Sequence, residues 1–113
     1  MYKRDLKSEI IRLANQYPVV TITGPRQSGK TTLCQAAFPN YTYVNLEELS
    51  VRQFAIQDPK GFLAKYNNKI ILDEIQRAPD LPSYIQPLVD KTNDRGQFIL
   101  TGSHQLDFLF GFL

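Results

Sequence analysis

Gly24-Pro25-Arg26-Gln27-Ser28-Gly29-Lys30-Thr31-Thr32 fits the pattern G-x-x-x-x-G-K-[ST] at Gly24, Gly29, Lys30 and Thr31. The run before it, Pro18 to Thr23, reads as a buried strand, and Thr31 to Phe38 reads as a helix. A strand, a glycine-bounded loop and a helix N-terminus together make an anion cradle, because unpaired amide N–H groups converge where the helix dipole is positive. The glycines let the backbone wrap a phosphate, and Lys30 adds a point charge near the β and γ positions. The Thr31 hydroxyl is suited to a bound magnesium ion. The stretch therefore predicts nucleotide phosphate binding by Gly24 to Thr32. The plainer alternative is a glycine-rich turn beside an incidental surface lysine.

Around this loop the chain is one domain of 113 residues with a net charge of +2. That is enough for a real core but small for a nucleotide-handling α/β fold. Lysines and arginines are scattered, so no nucleic-acid patch is indicated. The single cysteine, Cys34, falls in the helix after the loop beside Leu33, Ala36 and Ala37, and reads as a small buried apolar side chain rather than a redox centre. Met1 to Gln16 is charged and amphipathic, and no apolar run approaches ~18 residues, so a soluble, cytoplasmic chain without a membrane partner is expected.

A second informative stretch is Lys69-Ile-Ile-Leu-Asp-Glu-Ile75. Consecutive apolar residues suit a central parallel strand covered on both faces. The carboxylates arrive at its C-terminal end, where ligands bind in open α/β sheets. In this Walker B arrangement Asp73 is expected to hold magnesium, directly or through water, and Glu74 to orient and deprotonate an attacking water. Asp-Glu after a strand also suits a loop or helix cap, but the upstream phosphate loop favours the catalytic reading.

The remaining elements complete an α/β alternation. Asp5 to Tyr17 carries Leu6, Ile10, Leu13, Ala14 and Tyr17 at helical spacing. Tyr41 to Leu46 reads as a strand. Glu47 to Gln57 reads as a helix with Leu49, Phe54 and Ile56 as its buried side. Asp58-Pro59 supplies a cap and first-turn proline for a short helix through Phe62, Leu63 and Tyr66. Leu81, Tyr84, Ile85, Leu88 and Val89 form a further helical pattern, in which Pro87 should produce a kink or an early stop. Gln97 to Thr101 reads as the next strand, followed by Gly102, Ser103 and His104. Ser103, with Thr101 second, is the candidate for a polar side chain near the γ-phosphate; a small-residue turn is the alternative. His104 has no partner set for metal binding. Leu106 to Leu113 is apolar and must pack on the domain or on something else to avoid being an aggregation hazard.

Four phrases in order, Thr23 to Thr32, Asp58 to Leu63, Ile71 to Pro79 and Phe98 to Ser103, resemble a family of prokaryotic AAA-type ATPases. The resemblance implies a P-loop NTPase fold (AAA-like, ASCE): three α/β/α layers around a mostly parallel sheet of about four strands. It assigns Gly24, Pro25, Arg26 and Gln27 to the opening of Walker A, Asp73 and Glu74 to Walker B, and Thr101, Gly102 and Ser103 to the fourth strand's end. It also implies ATP and Mg2+ as cofactors. Family members are longer, so residues 1–113 are expected to be a truncated ATPase core without lid or C-terminal domain. The implied strand order, 5-1-4-3-2, leaves the phosphate-loop strand on an edge unless the apolar tail covers it.

Three functions compete. The first is magnesium-dependent ATP hydrolysis with Lys30, Glu74 and Ser103 at the chemistry and Thr31 and Asp73 on the metal. The second is a weak or inactive nucleotide-binding module that associates with itself or other chains. The third, a small-molecule phosphotransferase, lacks a segment long enough for a second substrate pocket or lid.

Overall fold

The computed structural model describes residues 3–24, 29–103 and 109–112. Strands β1 (Val19–Gly24), β2 (Thr42–Asn45), β3 (Ile70–Asp73), β4 (Phe98–Ser103) and β5 (Leu109–Phe112) form one sheet in the order β2-β3-β4-β1-β5. The first four run parallel; β5 is antiparallel to β1, with Thr21 opposite Gly111. Helices are α1 (Lys3–Ala14), α2 (Lys30–Ala37), α3 (Leu49–Gln57), α4 (Pro59–Lys65) and α5 (Leu81–Asp90), with a 3-10 turn at Ile75–Arg77.

Side-chain alternation along the strands divides the core in two. Val20, Ile22, Ile71 and Ile99 face α1 and α2, meeting Ile10, Leu13, Leu33 and Cys34. Val19, Val44, Ile70, Leu72, Phe98 and Leu100 face the other way, onto Ala55, Phe62, Leu81, Ile85 and Val89 from α3, α4 and α5. The result is the α/β/α arrangement expected for a central parallel sheet.

Three expectations change. The sheet gains a fifth strand: the apolar tail pairs with β1 and occupies the place beside it that the resemblance leaves bare. In α3 the buried side is Ala55, with Val51 and Phe54 packed against the core, whereas Leu49 and Ile56 are 58% and 54% exposed. Residues 51, 54 and 55 fall at i, i+3 and i+4, and 49 and 56 lie on the opposite face of that helix. Of the two effects expected of Pro87, the early stop does not occur, since α5 continues to Asp90. Leu81, Ile85 and Val89 are all buried on one side, and this packing offsets the ~3 kcal/mol that an interior proline costs a helix. The Asp58 cap forms as expected, its side chain accepting from Gly61 N at 3.0 Å.

Candidate phosphate and metal site

The site lies at the carboxyl ends of the parallel strands. β1 ends at Gly24, and α2 starts after Gly29, whose φ of 88° is a left-handed conformation that glycine adopts without Cβ strain. The first turn of α2 carries no acidic residue, so nothing there cancels the positive end of the helix. Pro25, Arg26, Gln27 and Ser28 lie outside the described residues. Lys30 is only 4% exposed, and its ammonium donates to Gly24 O at 3.1 Å, which holds it against the end of β1.

Asp73 closes β3 on the α2 side of the sheet, the face that also carries Tyr43 on β2 and Thr101 on β4. Neighbouring strands therefore each offer it a hydroxyl. Tyr43 donates to Asp73 Oδ2 and Thr101 to Oδ1, while Thr31 from α2 donates to Oδ2 at 2.8 Å. Burial and the adjacent Asp73 carboxylate hold the Tyr43 phenol well above its ordinary range, so it stays a donor. Thr101, fully buried, also accepts from Glu74 N at 3.3 Å and so links both Asp73 and Glu74 to β4.

Glu74 takes a different direction because its backbone turns left-handed, with φ 61° and ψ 53°. That conformation is costly for a non-glycine residue, on the order of 1–2 kcal/mol. Its carboxylate accepts from Gln76 Nε2 at 2.6 Å and from Ser103 Oγ at 2.9 Å to each oxygen. Ser103 N in turn donates to Gln76 Oε1 at 3.3 Å. Thr101 to Ser103 lie within β4.

Gly29, Lys30, Thr31, Thr32, Glu47, Asp73 and Glu74 line one cavity of about 310 Å³. Glu47 reaches it because Asn45 Oδ1 accepts from Glu47 N at 2.9 Å and Leu46 N donates to Asp73 O at 3.0 Å. Arg77 lies 3.6 Å from the Glu47 carboxylate. A larger cavity of about 570 Å³ between α4 and α5 is mostly apolar and lacks convergent charged groups of both signs.

A phosphate group fits the cavity chemically: an ammonium and a helix N-terminus face it. The oxygen donors Thr31 and Asp73 suit magnesium, which commonly takes one or two carboxylates plus substrate phosphates. Among the described residues no group of three or more His, Cys, Asp or Glu could hold a metal ion. Cys34, close by on α2, is buried with its thiol pushed up to about 12 by desolvation, the behaviour of a core residue rather than a nucleophile.

The cavity joins residues named from the sequence, Lys30, Thr31, Thr32, Asp73 and Glu74, and brings Ser103 to it through Glu74. Tyr43, Glu47 and Gln76 were not anticipated. Tyr43 would have been legible only by combining strand alternation with strand order.

The fold and cavity define the class: a P-loop NTPase-like α/β domain with a glycine-bounded segment between β1 and α2 and a carboxylate pair at the end of β3. Residues 16–110 match the family described as "AAA domain", and the chain belongs to that family, a nucleotide-binding, ATPase-like one. It is similar to the uncharacterized proteins Rv2008c of Mycobacterium tuberculosis and Mb2031c of Mycobacterium bovis. Each is 34% identical over 110 residues, covering 95% of this chain and 24% of the relative. The chain thus spans about a quarter of the length of the curated relatives it matches. No solved structure gives a significant match. No helix among the described residues is long and apolar enough to cross a membrane.

Proposed function

We propose that this domain binds ATP with magnesium and hydrolyses the β–γ phosphoanhydride. The observation that supports this most is the convergence of Lys30, Thr31, Asp73 and Glu74 on one cavity at the end of the parallel strands. By their sequence pattern Gly24 to Thr32 are the phosphate-binding residues of this reading, and Lys30 offsets the phosphate charge. Thr31 and Asp73 hold the metal, which when bound supplies electrostatic stabilisation of charge on the phosphate oxygens. Glu74 accepts a proton from the attacking water, and Ser103 orients the Glu74 carboxylate.

A second reading, a nucleotide-binding module with weak or no turnover, is favoured by one feature. Both Glu74 oxygens are engaged by Ser103, and one also by Gln76, so the base is tied down in this conformation. An arginine supplied from outside the described site would raise turnover by roughly 10³–10⁵ in related machinery.

Equilibrium titration of the purified chain with ATP and magnesium, beside Lys30→Ala, tests the proposal. Wild type should bind, and the lysine variant should bind about 100-fold more weakly, roughly the loss of one strong charge-assisted contact. Equal affinity in the two proteins, or none in wild type, would remove the reading.

A further inference from the structure

We propose that Tyr43 is a positioning residue that keeps Asp73 in water-mediated rather than direct contact with the metal, and so sets the site's cation preference. The proposal rests on the reading that this cavity binds a metal–nucleotide pair.

An ionised carboxylate offers about four lone-pair directions, two on each oxygen. At Asp73 three are taken by hydroxyl donors from three separate elements. Thr31 and Tyr43 both donate to Oδ2, and Thr101 donates to Oδ1. Oδ2 faces the Thr31 hydroxyl, the other candidate metal ligand, and both of its lone pairs are occupied. A cation seated on the Thr31 oxygen therefore meets an Oδ2 with no free lone pair, and a water molecule must bridge them. The remaining direction is on Oδ1, the oxygen bound by the buried β4 residue Thr101.

Tyr43 is the donor in this set whose removal leaves both the phosphate loop and the β3–β4 junction in place. It stands on β2 opposite Ile71, and its ring packs with the core between the sheet and α1 and α2. Without its hydroxyl, Oδ2 regains a lone pair and can coordinate directly. Direct carboxylate ligation favours cations that shed water readily, such as Mn2+, over magnesium, which dehydrates reluctantly.

The test measures apparent Mn2+ and Mg2+ affinities of the full chain with a non-hydrolysable ATP analogue, free Mn2+ being read by electron paramagnetic resonance and Mg2+ by competition. Wild type is compared with Tyr43→Phe, which keeps the ring, and with Tyr43→Leu, which tests the same hydroxyl if the first variant fails to fold. The ratio of Mn2+ to Mg2+ affinity should rise on the order of tenfold in the variants, the usual scale for partners of a metal ligand. An unchanged ratio overturns the proposal. So does an equal fall in both affinities, which would mark Tyr43 as only a packing residue. Metal-independent nucleotide binding by wild type would overturn the underlying site reading as well, and wild type alone reveals that case.

Discussion

The two ends of the parallel strands both bury polar groups, but they use them differently. At the amino ends the groups are neutral and saturate one another. Gln97, 6% exposed, donates to Asn67 O at 3.0 Å and accepts from the Thr92 hydroxyl at 3.2 Å. Gly96 N donates to Tyr17 O at 2.8 Å, Gln97 N to Pro18 O at 2.7 Å, and Tyr41 OH to Gly96 O at 2.6 Å. At the carboxyl ends Lys30, Asp73 and Glu74 are buried to a similar degree, yet they are ionisable and line a cavity. Burying charge is costly unless a partner compensates it. The contrast shows that buried polarity alone does not mark a site; clustered charges facing open volume do.

Three experiments bear on this contrast. The largest expected effect is at the carboxyl end. Glu74→Gln should lower phosphate release by roughly 10²–10⁴-fold, the usual worth of a general base, with ATP binding and melting temperature near wild type. Loss of stability instead of turnover would break the distinction between the ends.

Next is Gly96→Ala at the amino end. Gly96 has φ +62°, and an added Cβ would fall 2.7 Å from Tyr41 OH and 3.0 Å from Ala14 O. Strain and collision together should cost about 2 kcal/mol in chemical denaturation, with nucleotide affinity unchanged where the chain is folded. A fall in affinity under folded conditions would show the ends to be coupled.

The smallest effect is expected from Gln97→Leu, which leaves Asn67 O and the Thr92 hydroxyl without their partner. A loss of about 1 kcal/mol, read from the same denaturation curves, fits the cost of unmade hydrogen bonds. A neutral result would mean that water or a rearranged loop replaces them.

Legibility in the sequence followed the range of the physics behind each residue. Gly24, Gly29, Lys30 and Thr31 announce themselves because glycine conformation and helix-end charge are local effects. Asp73 and Glu74 stand out because charges end an apolar run. Tyr43 did not, since its partner is fixed by which strand lies beside β2. Gln76 did not, because its position over Gly102, whose added Cβ would lie 3.1 Å from Gln76 Oε1, depends on the left-handed turn at Glu74. In α3 side-chain size places Phe54 correctly but also turns Leu49 and Ile56 inward, whereas the smaller Ala55 has the buried phase. The antiparallel β5 follows from pairing across the sheet, and apolar composition alone called only for cover.

The strand order has a consequence for how the molecule forms. β1 carries the phosphate loop, yet both of its neighbours come from the far part of the chain: Val19 pairs with Phe98, and Thr21 with Gly111. Pairings this distant in sequence require closing a long loop before any contact compensates for the lost entropy, which slows folding. On a ribosome, β1 and its loop must wait for residues beyond 98 before they can join the sheet. During that interval the apolar β1 has no strand beside it, and a chaperone or a second nascent chain has its best opportunity to bind.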